Sequence, residues 1–461
     1  MVEESRRRSI AKWPNALLGP RPGLRELNVL CWALFVTFLL LPLTVVLVAQ
    51  HAAGKKFSNF LPIDFIYYYG DGRLVNEFPP EGLYDHNLQI KVFNQIYPLH
   101  GGETYSVSPY PPLVGQIFGL YARLPIAEAY FLWLGTSLVL YIAGILAGLR
   151  ASFPADPIKR SIALFFAITF PPFLYNTLAV GQLSSIAVFS AGLALYFESR
   201  SKRFSSGLAL SILSYKPILL VLILPMLLLT RRWRTLYGYL CGTAVLIATA
   251  TLISGIRIWV AYANLIGVWF HDAGVHGKAV YKHWLLIDLN SFFYGMQGIR
   301  SGAGLLALGA GLVAIAICGG VLFWKSVRLG PSEQRLVWAV ALTWTLLLNL
   351  YVPIYDSVLV VLALMLTLGM LAEMELPAIT ATVVVLGLCI SVVSIITTTL
   401  ANRYHVQLIT ILLFVLGTLE VALLWHVVRG TAAALDREAL RLTTVANHAG
   451  LSSGATEIEH R

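Results

Sequence analysis

The chain has 461 residues, of which 57% are hydrophobic and 12% charged, with a mean hydropathy of +0.74. No soluble domain can bury so large an apolar fraction, so most of the chain must lie in a lipid bilayer. The net charge of +10 indicates membrane topology and no nucleic-acid partner, because lysine and arginine cluster in short segments between apolar runs.

The apolar runs predict an all-α, polytopic transmembrane helical bundle with about 10–12 membrane segments, since each run is near the ~20 residues that a spanning helix needs. The first run is too long for the apolar region of a signal peptide, so we interpret it as a retained helix. In chain order the runs are 28–50, 126–148, 160–176, 183–198, 235–255, 303–325, 335–352, 355–372, 377–397 and 406–427.

The segment 206–230 is apolar but lies between two basic stretches, "SRSKR" and "RRWR". The basic N-terminus is expected in the cytoplasm, and the later basic loops are also cytoplasmic if 206–230 folds back on itself. The sequence therefore predicts a re-entrant helical hairpin, with Lys216 and Pro217 near its tip, because proline interrupts helical hydrogen bonding. Irregular backbone at membrane depth is tolerated where it lines a protein cavity.

This topology divides the chain into an integral membrane domain, 1–428, and a cytoplasmic tail, 429–461. The membrane domain has two large outer, periplasmic loops at 51–125 and 256–302. The tail contains a short helical pattern, "TAAALDREALRL", followed by a polar end that we expect to be disordered.

Polar and aromatic residues that interrupt the apolar pattern gather on the predicted outer side. An ionisable group at membrane depth costs about 2.5–3.5 kcal/mol on insertion scales, so such groups are functional candidates. The candidate site residues are Asp64, Tyr68, Asp71, Arg73, Tyr110, Asn176, Gln182, Lys216, His283, Tyr355, Asp356 and Arg403.

Each class of candidate has a structural alternative. Asp64 follows Pro62 and can cap a helix, the tyrosines can form an interfacial aromatic belt, and Lys216 can extend to an interface. The loop histidines lack the spacing of a metal site, so no metal is expected. The chain also lacks a Gly-rich phosphate loop and a nucleophile elbow, so no nucleotide or other cofactor is expected.

Several short motifs, in this order, resemble glycosyltransferase family 87, and the resemblance covers roughly residues 28–370. The motifs are "DFIYYYGDGRLV", "GLYD", "YPPL", "NTLAVGQLSSIAVF", "SKRFSSGLALSILSYKP" and "YVPIYDSVLV".

The resemblance implies the GT-C fold and an enzyme similar to polyprenyl-phosphate-mannose-dependent mannosyltransferases. Its partners would be a polyprenyl-phosphate-linked sugar donor, a glycolipid or glycan acceptor, and the lipid bilayer. The active site would face the periplasm from the inner (plasma) membrane. The family's loop aspartate corresponds to Asp64, which would be the catalytic base of an inverting transfer, with Asp71 as the second candidate.

The cation for the donor phosphate would be Lys216, helped by Arg403 or a loop histidine. Some relatives carry a histidine just before the late "YD" turn, where this chain has Val352 and Pro353. That role is left unassigned, with His283 and His405 as candidates. Two other functions remain open: a flippase or transporter of lipid-linked sugars, which would be expected to show paired repeats, and a polymerase of lipid-linked saccharides.

Overall fold

The computed structural model describes residues 23–41, 44, 63–99, 105–153, 157–275, 283–296 and 302–455. These residues are largely helical, and the β contact among them is an isolated bridge between Leu286 and Pro353. The predicted all-α fold class is therefore confirmed. The α-helices are α1 (Leu24–Ala33), α2 (Ile63–Glu77), α3 (His86–Ile96), α4 (Pro112–Tyr121), α5 (Ile126–Ser152), α6 (Pro157–Thr169), α7 (Ser184–Ser199), α8 (Arg203–Ser211), α9 (Ile223–Leu229), α10 (Trp233–Ser254), α11 (Arg257–Val275), α12 (Leu289–Gly295), α13 (Gly302–Lys325), α14 (Gln334–Leu347), α15 (Leu359–Met374), α16 (Pro377–Tyr404) and α17 (Leu408–Ala455).

Seven helices in the described part of the chain are long and apolar enough to span a bilayer, or eight if α1 and the bent segment Phe35–Leu41 count as one span. Two other predicted spans, 183–198 and 335–352, are present as the shorter helices α7 and α14, of 16 and 14 residues. Polar turns adjoin both short helices and contribute to the candidate site. The seven helices that are long and apolar enough to span a bilayer are Ile126–Ser152, Pro157–Ala179, Trp233–Ser254, Leu308–Arg328, Ile354–Met374, Pro377–Tyr404 and Leu408–Thr431.

Helix α15 forms the centre of the bundle, and its side chains from Leu359 to Leu371 are all buried. It packs against α5, α6, α7, α14 and α16. Beside it, α5 and α7 approach so closely that a Cβ on Gly192 would lie 2.2 Å from the Gly144 carbonyl oxygen. Small residues permit this backbone approach between membrane helices. The middle of α7 is thus packed tightly against α5.

The segment 206–230 has the predicted hairpin geometry. Helices α8 and α10 run parallel, since Gly207 lies against Gly238 and, one turn further along both helices, Ser211 lies against Gly242. Both ends of the segment are therefore at the same level of the bundle. At its tip the helix gives way to two 3₁₀ turns, Ile212–Tyr215 and Pro217–Leu220, because proline cannot donate a helical hydrogen bond.

The two predicted outer loops contain helices that pack into one cap over the bundle. Helix α11, from the second loop, packs against the Pro80–Tyr84 turn of the first loop, where the rings of Tyr84 and Tyr262 are 5.2 Å apart. A second piece of the same loop pairs with the turn before α15, because Ile287 N donates to Val352 O at 2.8 Å. Both loops thereby contact segments that carry candidate residues.

Helix α17 continues from Leu408 to Ala455 without a break. The predicted tail helix is therefore the continuation of the last spanning helix, and the domain boundary at 428 stays a prediction. The final residues, 456–461, lie outside the described part of the chain.

Candidate active site

Asp64 lies in the first turn of α2 and is partly exposed. Its Oδ2 accepts a hydrogen bond of 2.6 Å from Nε2 of Gln182. The positive end of the helix dipole also favours a negatively charged side chain in this turn. The sequence motifs "DFIYYY" and "GQ" therefore meet at one carboxylate.

The "GQ" turn follows a π-helical segment, Pro172–Ala179, and its glycine is required by two observations. Gly181 has φ +83, a left-handed conformation that glycine adopts without steric cost. A Cβ at this position would lie 2.8 Å from the Cβ of Phe65. The turn is held further by Trp133, whose Nε1 donates to Gly181 O at 2.9 Å. The backbone of this turn thus places Gln182 beside the start of α2.

Three tyrosines extend the network from Gln182 into the protein. The hydroxyl of Tyr68 donates to Oε1 of Gln182 at 2.5 Å and lies 3.1 Å from the hydroxyl of Tyr110. The side chain of Tyr355 adjoins that of Tyr110. The "YPPL" segment that carries Tyr110 is anchored by Tyr84, whose hydroxyl donates to Tyr110 O at 2.8 Å. Tyr68 is 1% exposed, so it belongs to the core and not to an interfacial belt.

A buried ion pair lies on the far side of Tyr355. Nζ of Lys216 contacts Oδ2 of Asp356, and it also lies 4.7 Å from the centroid of the Tyr355 ring. The other carboxylate oxygen of Asp356 accepts from Oγ of Ser184 at 2.9 Å. Asp356 is completely buried, so the hairpin tip supplies the cation that neutralises it.

Asp71, two turns after Asp64 on α2, has a different environment. Its side chain is 3% exposed, and Oδ2 accepts from Oγ of Ser108 at 2.5 Å. Burial raises the pKa of Asp71 well above its usual range, although the Ser108 bond acts in the opposite direction. Within the described residues Oδ1 is buried without a hydrogen-bond partner. Burial therefore disfavours the charged form of this carboxyl, which suits a structural group better than a base.

The other predicted site residues do not join this network in the described part of the chain. Arg73 forms a bidentate pair with Glu77 at 2.6 and 2.8 Å. Asn176 lies on the π-helical segment, the ring of His283 packs 4.3 Å from that of Tyr294, and Arg403 is exposed at the end of α16.

Three residues that sequence reasoning did not select also shape the site. Ser184 and Tyr215 adjoin the "GQ" and "KP" motifs, and Tyr215 donates to Leu183 O at 3.2 Å, joining the hairpin tip to the "GQ" turn. Asp288 caps α12 and accepts from Val352 N at 3.0 Å. The sequence "DLNS" is a capping signal, but it gives no hint of the contact with Val352.

Across the described residues, no group of three or more His, Cys, Asp or Glu side chains is arranged to hold a metal ion. The site is therefore a network of one partly exposed carboxylate, an amide, three phenols and a buried ion pair. Such a network can orient a carboxylate and bind sugar hydroxyls through polar side chains.

Comparison with known proteins gives one match. The profile of glycosyltransferase family 87 matches residues 109–352, which is just over half of the chain and includes Tyr110, Gln182 and Lys216. Asp64 and Asp356 lie outside the matched range. No curated protein and no solved structure matches the chain. The match, together with the membrane-spanning helices, shows that the chain belongs to glycosyltransferase family 87.

Proposed function

We propose that the protein transfers a sugar from a polyprenyl-phosphate donor to a glycolipid or glycan acceptor at the periplasmic face of the inner membrane, with Asp64 as the general base. The observation that carries this proposal is the contrast within α2. Asp64 is partly exposed and held by the amide of Gln182, whereas Asp71 is buried and its pKa is raised.

The proposed reaction is a single displacement. The acceptor hydroxyl oxygen forms a bond to the anomeric carbon of the donor, and the bond from that carbon to the phosphate oxygen breaks. Polyprenyl phosphate leaves with the bonding electrons, and the hydroxyl proton passes to Asp64. A carboxylate is a weak base for an alcohol, but it can accept the proton late, as the new bond forms. One displacement inverts the anomeric configuration.

The donor needs an apolar path for its lipid and a cation near its phosphate. Helices α10 and α13 leave most of their apolar surface exposed, which supports contact with lipid. We propose that Lys216 binds the phosphate, since an ammonium has three donors and Asp356 accepts from it at one oxygen. By the family resemblance, mannose or a related hexose is the proposed sugar.

The test compares two substitutions on the same helix. Purified parent, Asp64→Asn and Asp71→Asn proteins are incubated with a panel of polyprenyl-phosphate sugars and candidate glycolipids, and the products are measured by mass spectrometry. Asp64→Asn should lower the transfer rate by about 10²–10⁴ while retaining donor binding. Asp71→Asn should remain active, because asparagine resembles a neutral carboxyl group in size and shape.

Two outcomes would contradict the proposal in different ways. Near-parental transfer by Asp64→Asn together with loss in Asp71→Asn would show that Asp71 is the base. Full transfer activity of both variants would show that neither aspartate is the base.

A further inference from the structure

We infer that Gln182 is a positioning residue for Asp64, and that the hydroxyl of Tyr68 fixes the orientation of its amide. This inference rests on the proposed role of Asp64 as base. It assigns to the "GQ" turn the task of holding the carboxylate in one orientation.

The amide of Gln182 contacts a different partner at each end. Oε1 accepts from the Tyr68 hydroxyl at 2.5 Å, and Nε2 donates to Oδ2 of Asp64 at 2.6 Å. A flipped amide would bring its oxygen against a carboxylate oxygen at that distance, and two acceptors repel each other. Because the phenol donates to Oε1, the N–H of the amide must face Asp64.

The donation from Tyr68 to Gln182 fixes the direction of the next hydrogen bond in the network. A phenol has a single proton, and Tyr68 uses it toward Gln182. The hydroxyl of Tyr110, 3.1 Å away, therefore donates to the oxygen of Tyr68. The side chain of Tyr355 adjoins Tyr110. The hydrogen bonds from Tyr110 to Tyr68 and from Tyr68 to Gln182 thus both run toward the amide.

Gln182 has little freedom to adopt another position. Its side chain is 5% exposed, so water does not compete for its two bonds. The preceding residue, Gly181, is packed against Phe65 and is hydrogen-bonded by Trp133. Position and orientation are therefore both determined before a substrate arrives, which is the condition for efficient catalysis by a positioned group.

The expected chemical effect has two parts. A hydrogen bond to an ionised carboxylate favours the ionised form, so loss of the Gln182 amide should raise the pKa at which the base is protonated. The same bond holds the carboxylate in a productive orientation, so its loss should also slow the chemical step. An amide does not readily pass on a proton, so the network orients Asp64 without relaying its proton into the protein.

The adjacent tyrosines of α2 provide matched controls. The hydroxyl of Tyr67 contacts Ser106, and the hydroxyl of Tyr69 donates to Leu124 O at 2.9 Å. Neither of these bonds involves Gln182. Replacing each of the three tyrosines in turn by phenylalanine removes one hydroxyl and keeps the ring, and only Tyr68→Phe removes the donor to the amide.

The experiment measures kcat and donor KM across pH for full-length Tyr68→Phe and Gln182→Leu, with Tyr67→Phe and Tyr69→Phe as controls and Asp64→Asn as reference. Thermal unfolding confirms that each protein is folded. Tyr68→Phe and Gln182→Leu should lose about ten- to hundredfold in kcat, with donor KM within about twofold of the parent. The acidic limb of the pH–rate profile should move to higher pH in both variants.

The outcomes separate this inference from the proposed function. If Asp64→Asn is inactive but Tyr68→Phe and Gln182→Leu keep the parental kcat and pH profile, the positioning role is wrong and the base assignment stands. A fall in kcat without a pH shift, or an equal shift in both control variants, would also overturn it. If Asp64→Asn keeps the parental kcat, the proposed role of Asp64 as base fails, and the positioning role fails with it.

Discussion

At the scale of single residues, α2 carries two aspartates whose surroundings differ. Asp64 lies in the first helical turn, partly exposed, with an amide donor. Asp71 lies further along the helix among buried groups, and one hydroxyl donates to it. Burial disfavours the charged form of a carboxyl group, whereas donors and a helix N-terminus favour it. The sequence shows two aspartates, and only the packing distinguishes their environments.

The raised pKa of Asp71 predicts a pH dependence of stability. A carboxyl whose pKa is higher in the folded state stabilises the fold most below its ordinary pKa of about 3.9. This contribution is lost as pH rises toward the folded value. Asp71→Asn should therefore weaken the decrease in apparent Tm on going from pH 4 to 8, because asparagine does not ionise. Thermal unfolding in detergent across this range measures the effect.

The control for this prediction is Glu81→Gln, because Glu81 is exposed in the turn that follows α2. It should reproduce the parental dependence of Tm on pH. If the apparent Tm of Asp71→Asn and that of the parent change in parallel between pH 4 and 8, Asp71 does not titrate as its burial implies.

At the scale of elements, local sequence patterns predicted the hairpin but not its contacts. The basic stretches at both ends and Pro217 were sufficient to predict that 206–230 folds back. The partner of Lys216 is Asp356, which lies 140 residues later, and no local pattern records a contact across such a separation. The same holds for Gln182 and Asp64, 118 residues apart. The motifs therefore identified candidate residues, whereas the contacts between those residues depend on how the helices pack.

The ion pair at the hairpin tip predicts an asymmetry between single and double substitutions. Lys216→Met leaves Asp356 buried without its cation, and removing one partner of a buried pair costs about 3–5 kcal/mol. The double variant Lys216→Met with Asp356→Asn leaves no charge behind, so its apparent Tm should be closer to that of the parent. Thermal unfolding of the single and double variants measures this difference.

The double variant also tests the proposed role of Lys216 in donor binding. If Lys216 binds the donor phosphate, the folded double variant should have a donor KM raised at least about tenfold, since a charge-assisted contact is lost. A parental donor KM in the double variant would remove Lys216 from the donor site and leave the ion pair as a structural clamp.

At the scale of the whole molecule, the site is assembled from segments spread over most of the chain. The first predicted outer loop supplies Asp64 and Tyr68, the "GQ" turn supplies Gln182, and Asp356 lies just before α15. The family match covers residues 109–352, so the proposed base and the ion-pair carboxylate lie beyond its two ends.

Composition predicted the helical membrane class because hydropathy is a property of whole segments. The shared cap of the two outer loops could not be predicted, because it depends on contacts between distant aromatic residues such as Tyr84 and Tyr262.

The hairpin geometry and the basic residues together predict the sidedness of the protein. Arg232 is a poor labelling position, because it is buried and pairs with Glu198, whereas Lys202 and Arg234 are exposed at the same end of the hairpin. Single cysteines are placed there in a background with Cys31, Cys241, Cys318 and Cys389 replaced, and Lys91→Cys on exposed α3 serves as the outer reference. A membrane-impermeant maleimide should label Lys91→Cys on intact spheroplasts and should label Lys202→Cys and Arg234→Cys only after permeabilisation.

External labelling of Arg234→Cys with protection of Lys202→Cys would show that 206–230 crosses the bilayer. External labelling of both, with protection of Lys91→Cys, would invert the protein and place Asp64 on the cytoplasmic side, away from the proposed periplasmic reaction.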